Sequence, residues 1–346
     1  MSTQLLLIGN TSSPGQIGEI LLRAANNLNC CVETVDNNWL NYAPSMKSLW
    51  GRLLFKVLGK RPLEWMQINR KVVDLIQEQK PDIVIVVGVF PLSKDVFNIC
   101  KTVNTKTINY LTDYPWNRFH YSPTYIENLR SYDLVASTKL QILLQLNQHG
   151  VKCVKFLPFG FDPYIHYPPE EVTSEQKELF DADISFIGTG DSERLVYLNA
   201  FTPLKNWKLK IYGGLWEGIP LKNWVVNPIV LGDKFRLAIY CSKLTLGIVR
   251  KRNKDEATMR TFEIAACGGC GIYEDTQEHR EILAGYPDYG FFSSPKDLVE
   301  KCKWLLEHPV ELEQMRQMGI KLIAIEDNTY AARLKKILEY ISELEK

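Results

Sequence analysis

The sequence predicts an α/β protein built from two Rossmann-like, doubly wound domains that face a central cleft. Apolar runs of strand length alternate with helical segments over most of the chain, which is typical of parallel sheets with crossover helices. The alternation stops at one proline-rich tract and then begins again. The length of 346 residues and the 45% apolar content allow about two domains.

The first half of the chain is predicted to alternate between strands and helices. The helix from Trp65 stops at Lys80-Pro81, and the run that follows is β-branched, which favours a strand. The predicted strands are Leu5–Ile8, Val32–Val35, Asp82–Val87, Thr107–Leu111, Leu134–Ala136 and Val154–Leu157. The predicted helices are Ile17–Leu28, Trp65–Gln79, Pro91–Lys101 and Lys139–His149.

The tract Leu157–Pro169 is predicted to link the two domains. It has four prolines in 13 residues, which neither a helix nor a central strand can absorb. We therefore expect one domain over residues 1–160 and a second domain over residues 161–330. The last helix, residues 331–346, is a candidate to pack back on the first domain.

After the linker the alternation begins again, and its strands end in glycine loops. The predicted strands are Asp183–Ile187, Lys208–Tyr212, Leu244–Val249 and Gly271–Tyr273. The predicted helices are Glu193–Ala200, Lys234–Cys241, Thr258–Ala266, Pro295–Glu307, Val310–Ile325 and Ala331–Glu345. This second series predicts a second parallel sheet.

Composition argues against several classes of protein. The net charge of +1 gives no overall bias towards nucleic acid. The longest apolar run is Ile83–Val87, far short of the ~18–20 residues that a membrane span needs. The N-terminus has no basic segment typical of a signal peptide, and the eight cysteines form no regular framework. We expect a cytoplasmic protein.

Cys267 and Cys270 have the spacing of a redox or half-zinc motif. They follow a helix rather than beginning one, and no second pair with a histidine partner lies at zinc spacing. Small core residues are the favoured interpretation, with redox or metal chemistry as the alternative. We expect neither a metal nor a cofactor.

The loops after the strands of the second half are the places to search for a ligand site, because ligands of open α/β sheets bind beyond the carboxyl ends of the strands. Gly188-Thr189-Gly190 follows one strand and places Arg194 in the first turn of the next helix. The glycines would let a ligand approach the backbone and Arg194 would pair with a phosphate. A plain glycine turn with an exposed arginine is the alternative.

A run of cations lies between a strand and the helix that begins at Thr258. Its members are Arg250, Lys251, Arg252, Lys254 and Arg260. Such a set would neutralise a diphosphate without a divalent ion, whereas the alternative is a solvated face. Glu263 lies in the same helix among apolar residues, where a carboxylate can accept both hydroxyls of a ribose; the alternative is an ion pair with Arg260.

The stretch Met259–Gly269 resembles the signature of the group 1 glycosyltransferases, in particular the branch related to spore maturation protein CgeB. Further matching pieces are Ile184–Gly188 with Arg194, Ile211-Tyr212-Gly213 with Trp216, Leu157–Pro163 with His166, and Asn328–Arg333. The resemblance covers about residues 105–340. It implies the GT-B fold and transfer of a sugar from a nucleoside diphosphate sugar.

The resemblance also implies roles for individual residues. Glu263 would bind the ribose of the donor, and the amides around Arg260 and Thr261 would hold the diphosphate together with Arg194, Arg250 and Lys251. In the wider retaining pattern two glutamates stand eight residues apart. Here the first position is Asp255, with Glu256 beside it, so the stereochemistry of transfer is not assigned.

The first domain would then bind the acceptor. Asp113 closes a strand and resembles an aspartate-containing turn of this branch; it is a candidate general base, or else a turn residue that bonds its own backbone. His120 is a second candidate base, and the alternative is that it is an ordinary surface or packed histidine. Trp116 and Tyr121 would stack on a sugar ring or serve as ordinary packed aromatics.

Residues 47–61 carry five cations and no acid, with apolar residues at helical spacing. This pattern is typical of a basic amphipathic helix that lies on an anionic membrane near a lipid-linked acceptor. An ordinary domain helix with solvated lysines is the alternative. The first interpretation would add a peripheral location at the inner face of the cell membrane.

Together these observations predict a metal-independent, bacterial-type glycosyltransferase that transfers a hexose to an unknown glycan or lipid-linked acceptor in surface glycan or glycolipid assembly. Its partners would be a nucleoside diphosphate sugar and that acceptor, and not nucleic acid. Two alternatives remain: a nucleotide-sugar epimerase on the same fold, and a catalytically silent, coat-associated protein that binds a nucleotide sugar.

Overall fold

A computed structural model describes residues 2–57, 63–118, 121–325 and 327–344. Contacts divide the chain into two compact units. The first, called the N unit, runs up to Pro158 and resumes at Tyr330; the second, called the C unit, is Phe159–Thr329. Each unit contains one six-stranded parallel sheet with helices, which confirms the predicted α/β class.

The sheet of the N unit is centred on a strand of β-branched residues, Ile83–Val87, which is almost fully buried. The strands are β1 (Gln4–Gly9), β2 (Cys31–Asp36), β3 (Ile83–Val87), β4 (Lys106–Leu111), β5 (Leu134–Ser137) and β6 (Val154–Phe156), in the order β2-β1-β3-β4-β5-β6. The helices are α1 (Ile17–Asn27), α2 (Leu49–Val57), α3 (Trp65–Gln79), α4 (Lys94–Thr102), α5 (Pro123–Asn128) and α6 (Leu143–Gln148).

The sheet of the C unit has the strand order of a dinucleotide-binding Rossmann domain. Its strands are β7 (Ala182–Ile187), β8 (Leu209–Tyr212), β9 (Trp224–Asn227), β10 (Ser242–Gly247), β11 (Gly271–Glu274) and β12 (Phe291–Phe292), in the order β12-β11-β10-β7-β8-β9. The helices are α7 (Ser174–Phe180), α8 (Ser192–Asn199), α9 (Asp233–Tyr240), α10 (Met259–Ala266), α11 (Gln277–Ile282), α12 (Pro295–Glu307) and α13 (Pro309–Ile325).

The last helix, α14 (Tyr330–Leu344), belongs to the N unit, where it packs against α1. Its first turn is anchored near the unit boundary by Arg333, whose Nε donates to the carbonyl of Pro158 at 3.1 Å. The unit boundary at Pro158 and Phe159 falls inside the proline-rich tract. Asp162 and His166, further along that tract, are buried in the C unit.

Several boundaries differ from those that the sequence predicts. The helix predicted from Pro91 begins at Lys94, after Ser93, and the helix predicted from Lys139 begins with a 3₁₀ turn before α6. The strand predicted to reach Val249 ends at Gly247. Helices α5, α7 and α11 and strands β9 and β12 are not predicted. All five have seven residues or fewer, too few for a clear periodicity.

None of the helices in the described part of the chain is both long and apolar enough to cross a membrane.

Candidate functional site

The C unit brings most of the predicted donor residues to one place, the carboxyl ends of β7 and β10. These strands are neighbours, and β8 and β11 continue from them on opposite sides. Such a reversal of strand order opens a crevice in which open α/β sheets bind ligands. Arg260 lies in the first turn of α10, and its Nε donates to the carbonyl of Ile187 at the end of β7 at 3.1 Å. The loops after β7 and β10 therefore meet at this crevice.

The predicted glycines pack two loops against each other. Gly190 donates its backbone N–H to the carbonyl of Gly214 at 3.0 Å, and the indole of Trp216 donates to the carbonyl of Gly188 at 3.0 Å. A Cβ atom added to Gly213 would lie 2.0 Å from that same carbonyl oxygen. Loop packing thus accounts for Gly188, Gly190 and Gly213 without a ligand.

This packing gives a direct test of the loop geometry. We expect Gly213→Ala to lower the free energy of unfolding by about 2 kcal/mol, because the new methyl group meets a backbone oxygen that cannot move aside easily. Urea unfolding of the purified protein measures the change. Gly214→Ala is the matched control, since its Cβ would have ordinary contacts at 3.5 Å with Ile229. Equal effects of the two substitutions would contradict the packing argument.

Arg194 is buried and points back into the glycine loop. Its Nη1 donates to the carbonyl of Thr189 at 2.9 Å and to Thr189 Oγ1 at 3.2 Å, and its Nε lies 3.6 Å from Asp191 Oδ2. Burial lowers the pKa of Arg194 to about 10, so the guanidinium remains charged at neutral pH. Asp191 also accepts the backbone N–H groups of Glu193 and Arg194 at the start of α8. The loop thus holds one buried cation in a fixed orientation.

The cations after β10 lie against carboxylates of their own loop, of β11 and of α8. Arg250 Nε lies 3.2 Å from Asp255 Oδ2, and Lys251 Nζ lies 2.8 Å from Glu274 Oε1. Arg252 Nε lies 3.7 Å from Glu193. The hydrogen bond to Glu274 raises the pKa of Lys251. Arg250, Lys251 and Arg252 are therefore held in ion pairs while their cationic groups are partly exposed, and a bound diphosphate would add to these pairs or replace them.

Asp255 and Glu256 differ in their burial and in their hydrogen bonds. Asp255 is buried, and besides Arg250 it accepts a hydrogen bond from the amide of Asn253 at 3.0 Å. Glu256 is half-buried, and its backbone carbonyl accepts the hydroxyl of Thr276 at 2.6 Å. Asp255 thus fixes the shape of the loop before α10.

Glu263 is buried and held from two sides. One oxygen forms an ion pair with Arg260, and the other lies 3.4 Å from His166 Nε2. The backbone N–H of Asp162 donates to His166 Nδ1 at 3.1 Å, so the ring proton is on Nε2, facing Glu263. Burial lowers the pKa of His166. The ion pair with Arg260 is present, and a carboxylate still has lone pairs for a ribose hydroxyl.

A buried hydrogen-bonded chain holds the first turn of α10. The backbone N–H of Thr258 donates to Thr261 Oγ1 at 3.2 Å, and Thr261 Oγ1 lies 3.0 Å from His279 Nε2. His279 Nδ1 lies 2.7 Å from the carbonyl of Glu274. That carbonyl can only accept, so Nδ1 carries the proton and Nε2 accepts the Thr261 hydroxyl. Burial lowers the pKa of His279 to about 4, which keeps the ring neutral near pH 7.

Three residues of this site are absent from the set that the sequence predicts: Asp191, Glu274 and His279. Asp191 occupies the cap position before α8, and Glu274 is the last residue of β11. A cap residue before a helix is the signal that would have found Asp191, and a polar residue at the carboxyl end of a buried strand is the signal that would have found Glu274. His166 was expected only as part of the interdomain connector.

In the N unit, Asp113 follows β4 and is half-buried. The hydroxyl of Thr112 donates to Asp113 Oδ2 at 3.1 Å. Trp116 packs against the rings of Tyr114 and His149, with each pair of centroids 5.7 Å apart, whereas Tyr121 is exposed. Trp116 is thus a packed aromatic. His120 lies outside the described residues.

Cys267 and Cys270 are free, buried thiols, and burial raises the pKa of Cys270 to about 12. Within the described part of the chain, no group of three or more His, Cys, Asp or Glu side chains is placed to hold a metal ion. These two cysteines contribute to the core of the C unit.

The two Rossmann-like units define the GT-B fold, and solved structures of that fold resemble the chain over nearly all its length. Sucrose-phosphate synthase from Thermosynechococcus elongatus matches with a TM-score of 0.69 and 11% identity over 99% of both chains. Anabaena HepE in complex with UDP-glucose matches with a TM-score of 0.65 and 12% identity, over 98% of this chain and 99% of that chain. A Listeria monocytogenes structure named as a UDP-N-acetylglucosamine 2-epimerase matches with a TM-score of 0.56 and 12% identity, over 96% and 95%.

Residues 194–339 match the family model described as "Glycosyl transferase-like". The match begins at Arg194 and includes the whole of α10, so it covers most of the crevice. No curated protein matches the chain. All three identities are far below 25%, so the similarity to these solved structures shows the fold and nothing beyond it.

Proposed function

We propose that the protein is a glycosyltransferase that binds a nucleoside diphosphate sugar in the C unit and transfers a hexose. The observation that carries this proposal is the meeting of Arg194, Arg260 and Glu263 at the ends of β7 and β10. It combines cations for a diphosphate with a buried carboxylate for a ribose, at the position where this type of sheet binds nucleotides. The family match over these residues supports the same assignment.

The chemistry would depend on stabilising the departing diphosphate. Arginine side chains fixed before the reaction favour the charge that develops on the leaving group, and they do so without a divalent ion. Arg194 is such a group, because its orientation is set by Thr189 and Asp191. Asp113 is the candidate that would take the proton of the acceptor hydroxyl, and His120 is the second candidate.

We further propose a uridine nucleotide donor and an acceptor in surface glycan or glycolipid assembly. The uridine proposal rests on HepE, whose structure contains UDP-glucose. The acceptor proposal, and membership of the CgeB-like branch, rest on the resemblance of Met259–Gly269 and its companion segments.

Thermal unfolding in EDTA with UDP, GDP, ADP, CMP and TDP tests the donor site. We expect one nucleotide to stabilise the protein by about 2.7 kcal/mol at 100 times its Kd, because it binds only the folded state. Adding the matching sugar nucleotides then identifies the sugar. No stabilisation by any of them at millimolar concentration would contradict the proposal.

Two outcomes separate the alternatives. The Listeria structure makes an epimerase worth testing, and such an enzyme would convert the sugar nucleotide without any acceptor. A silent binder would be stabilised by the nucleotide but would leave the sugar nucleotide intact with every acceptor. A transferase releases nucleoside diphosphate faster when its acceptor is present.

A further inference from the structure

The N unit carries an exposed apolar surface on α2 and at the start of α3. Leu49 is 83% exposed and Trp50 is 68% exposed, and Leu53, Leu63 and Met66 are each at least half exposed. Large apolar side chains grouped in this way are uncommon on a protein that has no partner. We call these five residues the α2 surface.

The packing of α2 explains why these side chains face outward. A Cβ atom on Gly51 would lie 1.8 Å from the carbonyl oxygen of Ser45, so the helix rests on the turn Pro44–Lys47 through its glycine. The backbone N–H of Gly51 also donates to Ser48 Oγ at 2.9 Å. Gly51 therefore fixes the buried side of α2 and leaves Leu49, Trp50 and Leu53 on its outer side.

The start of α3 is tied to the same turn. The backbone N–H of Ser45 donates to Glu64 Oε1 at 2.9 Å, and the Ser45 hydroxyl donates to the other oxygen. Leu63 and Met66 flank this carboxylate in sequence. The two parts of the α2 surface thus belong to one hydrogen-bonded region.

The charge of this region indicates what the surface binds. Residues 37–63 contain five cations and no Asp or Glu, and the described cations Lys47 and Arg52 are exposed. Protein–protein interfaces are depleted in lysine, whereas cations beside tryptophan and leucine are typical of helices that lie in the headgroup region of a bilayer. We propose that the α2 surface binds an anionic lipid bilayer, with Leu49, Trp50 and Leu53 inserted among the lipids.

Co-sedimentation of the full chain with vesicles tests this proposal without any donor or acceptor. It is therefore independent of the transferase assignment. We expect binding to vesicles of phosphatidylcholine with about one third phosphatidylglycerol, and little binding to phosphatidylcholine alone. Binding should weaken as the salt concentration rises, because the attraction between cations and the surface is screened.

Two double variants separate the apolar and charged contributions. Trp50→Ser with Leu53→Ser should lower the vesicle partition coefficient at least tenfold. Lys47→Glu with Arg52→Glu should lower it by more than about 25-fold, since each cation near an anionic surface contributes about fivefold. Leu144→Ser with Val310→Ser is the control, because both residues are exposed and lie outside this region; it should bind like the unchanged protein.

The proposal is overturned if the unchanged protein stays in the supernatant with anionic vesicles. It is also overturned if both α2 variants sediment as the control does, or if the α2 surface instead drives self-association that the same substitutions abolish. Circular dichroism confirms that each variant is folded. Because the substituted side chains are exposed, folding should be unchanged.

Discussion

Replacing Glu263 with Gln is expected to weaken binding of the donor nucleoside diphosphate by about 10- to 100-fold. A hydrogen bond to a charged group contributes about 1.5–3 kcal/mol, and the neutral amide loses that contribution. The amide also places an N–H group against Arg260 or His166, both of which donate. Isothermal titration with the nucleotide that stabilises the protein measures the loss.

A deoxynucleotide shows whether Glu263 binds the ribose of the nucleotide or only forms the ion pair with Arg260. If Glu263 accepts the 2′-hydroxyl, the 2′-deoxy nucleoside diphosphate binds the unchanged protein less tightly than the ribonucleotide does. The difference should then nearly vanish in Glu263→Gln, because the acceptor is already weakened. An equal deoxy penalty in both proteins would show that Glu263 only positions Arg260.

Glu178→Gln is the matched control for this experiment. Glu178 is exposed on α7 of the same unit, so its replacement removes one carboxylate without touching the crevice. Its nucleotide affinity should equal that of the unchanged protein. If the control weakened binding as much as Glu263→Gln does, a general loss of charge would explain the result.

The parallel sheets could be predicted because their central strands are short segments rich in apolar residues, with Ile83–Val87 as the clearest run. β3, β7 and β10 are buried and lie within two residues of their predicted bounds at each end. Strand β9 could not be recognised so easily, since Val225 and Val226 are exposed at the edge of the sheet. The short helix α7 does carry a signal, the capping box from Thr173 to Gln176, which a search for caps would detect.

The cations of the crevice could be predicted from their place after a strand, and helical spacing also allowed the pair of Arg260 with Glu263, but the partner of Lys251 could not be predicted. Lys251 contacts Glu274, which is the last residue of another strand, β11. The hydroxyl of Tyr197, which lies in α8 and 77 positions before Glu274, also donates to that carboxylate at 2.9 Å. Only the order of the strands brings such residues together. Whether a cation run is free or paired is therefore a property of the folded sheet, and spacing along the chain does not determine it.

His279 shows the same dependence on the fold and gives the largest expected effect on stability. We expect His279→Ala to lower the free energy of unfolding by about 3 kcal/mol, because it leaves a cavity and removes the partners of Thr261 and the Glu274 carbonyl. His279→Gln should recover much of this loss, since an amide can both donate and accept in the same chain. Urea unfolding at pH 7 measures both variants.

The pH dependence of stability tests whether His279 is neutral in the folded protein. Its pKa is lowered from 6.5 to about 4 by burial, so the unfolded chain binds more protons between these values. The free energy of unfolding should therefore fall as the pH is lowered from 6.5 to 4, by up to about 3 kcal/mol from this group. Burial lowers the pKa of His166 as well, which acts in the same direction.

The glutamine variant isolates the contribution of His279, because its side chain does not titrate. His279→Gln should reduce the fall in stability between pH 6.5 and 4 relative to the unchanged protein. A curve for His279→Gln as steep as that of the unchanged protein would mean that His279 is already charged when folded. In that case His279 Nε2 would donate to the Thr261 hydroxyl rather than accept from it. The hydrogen bond between these two residues, which helps to hold the first turn of α10, would then run in the opposite direction.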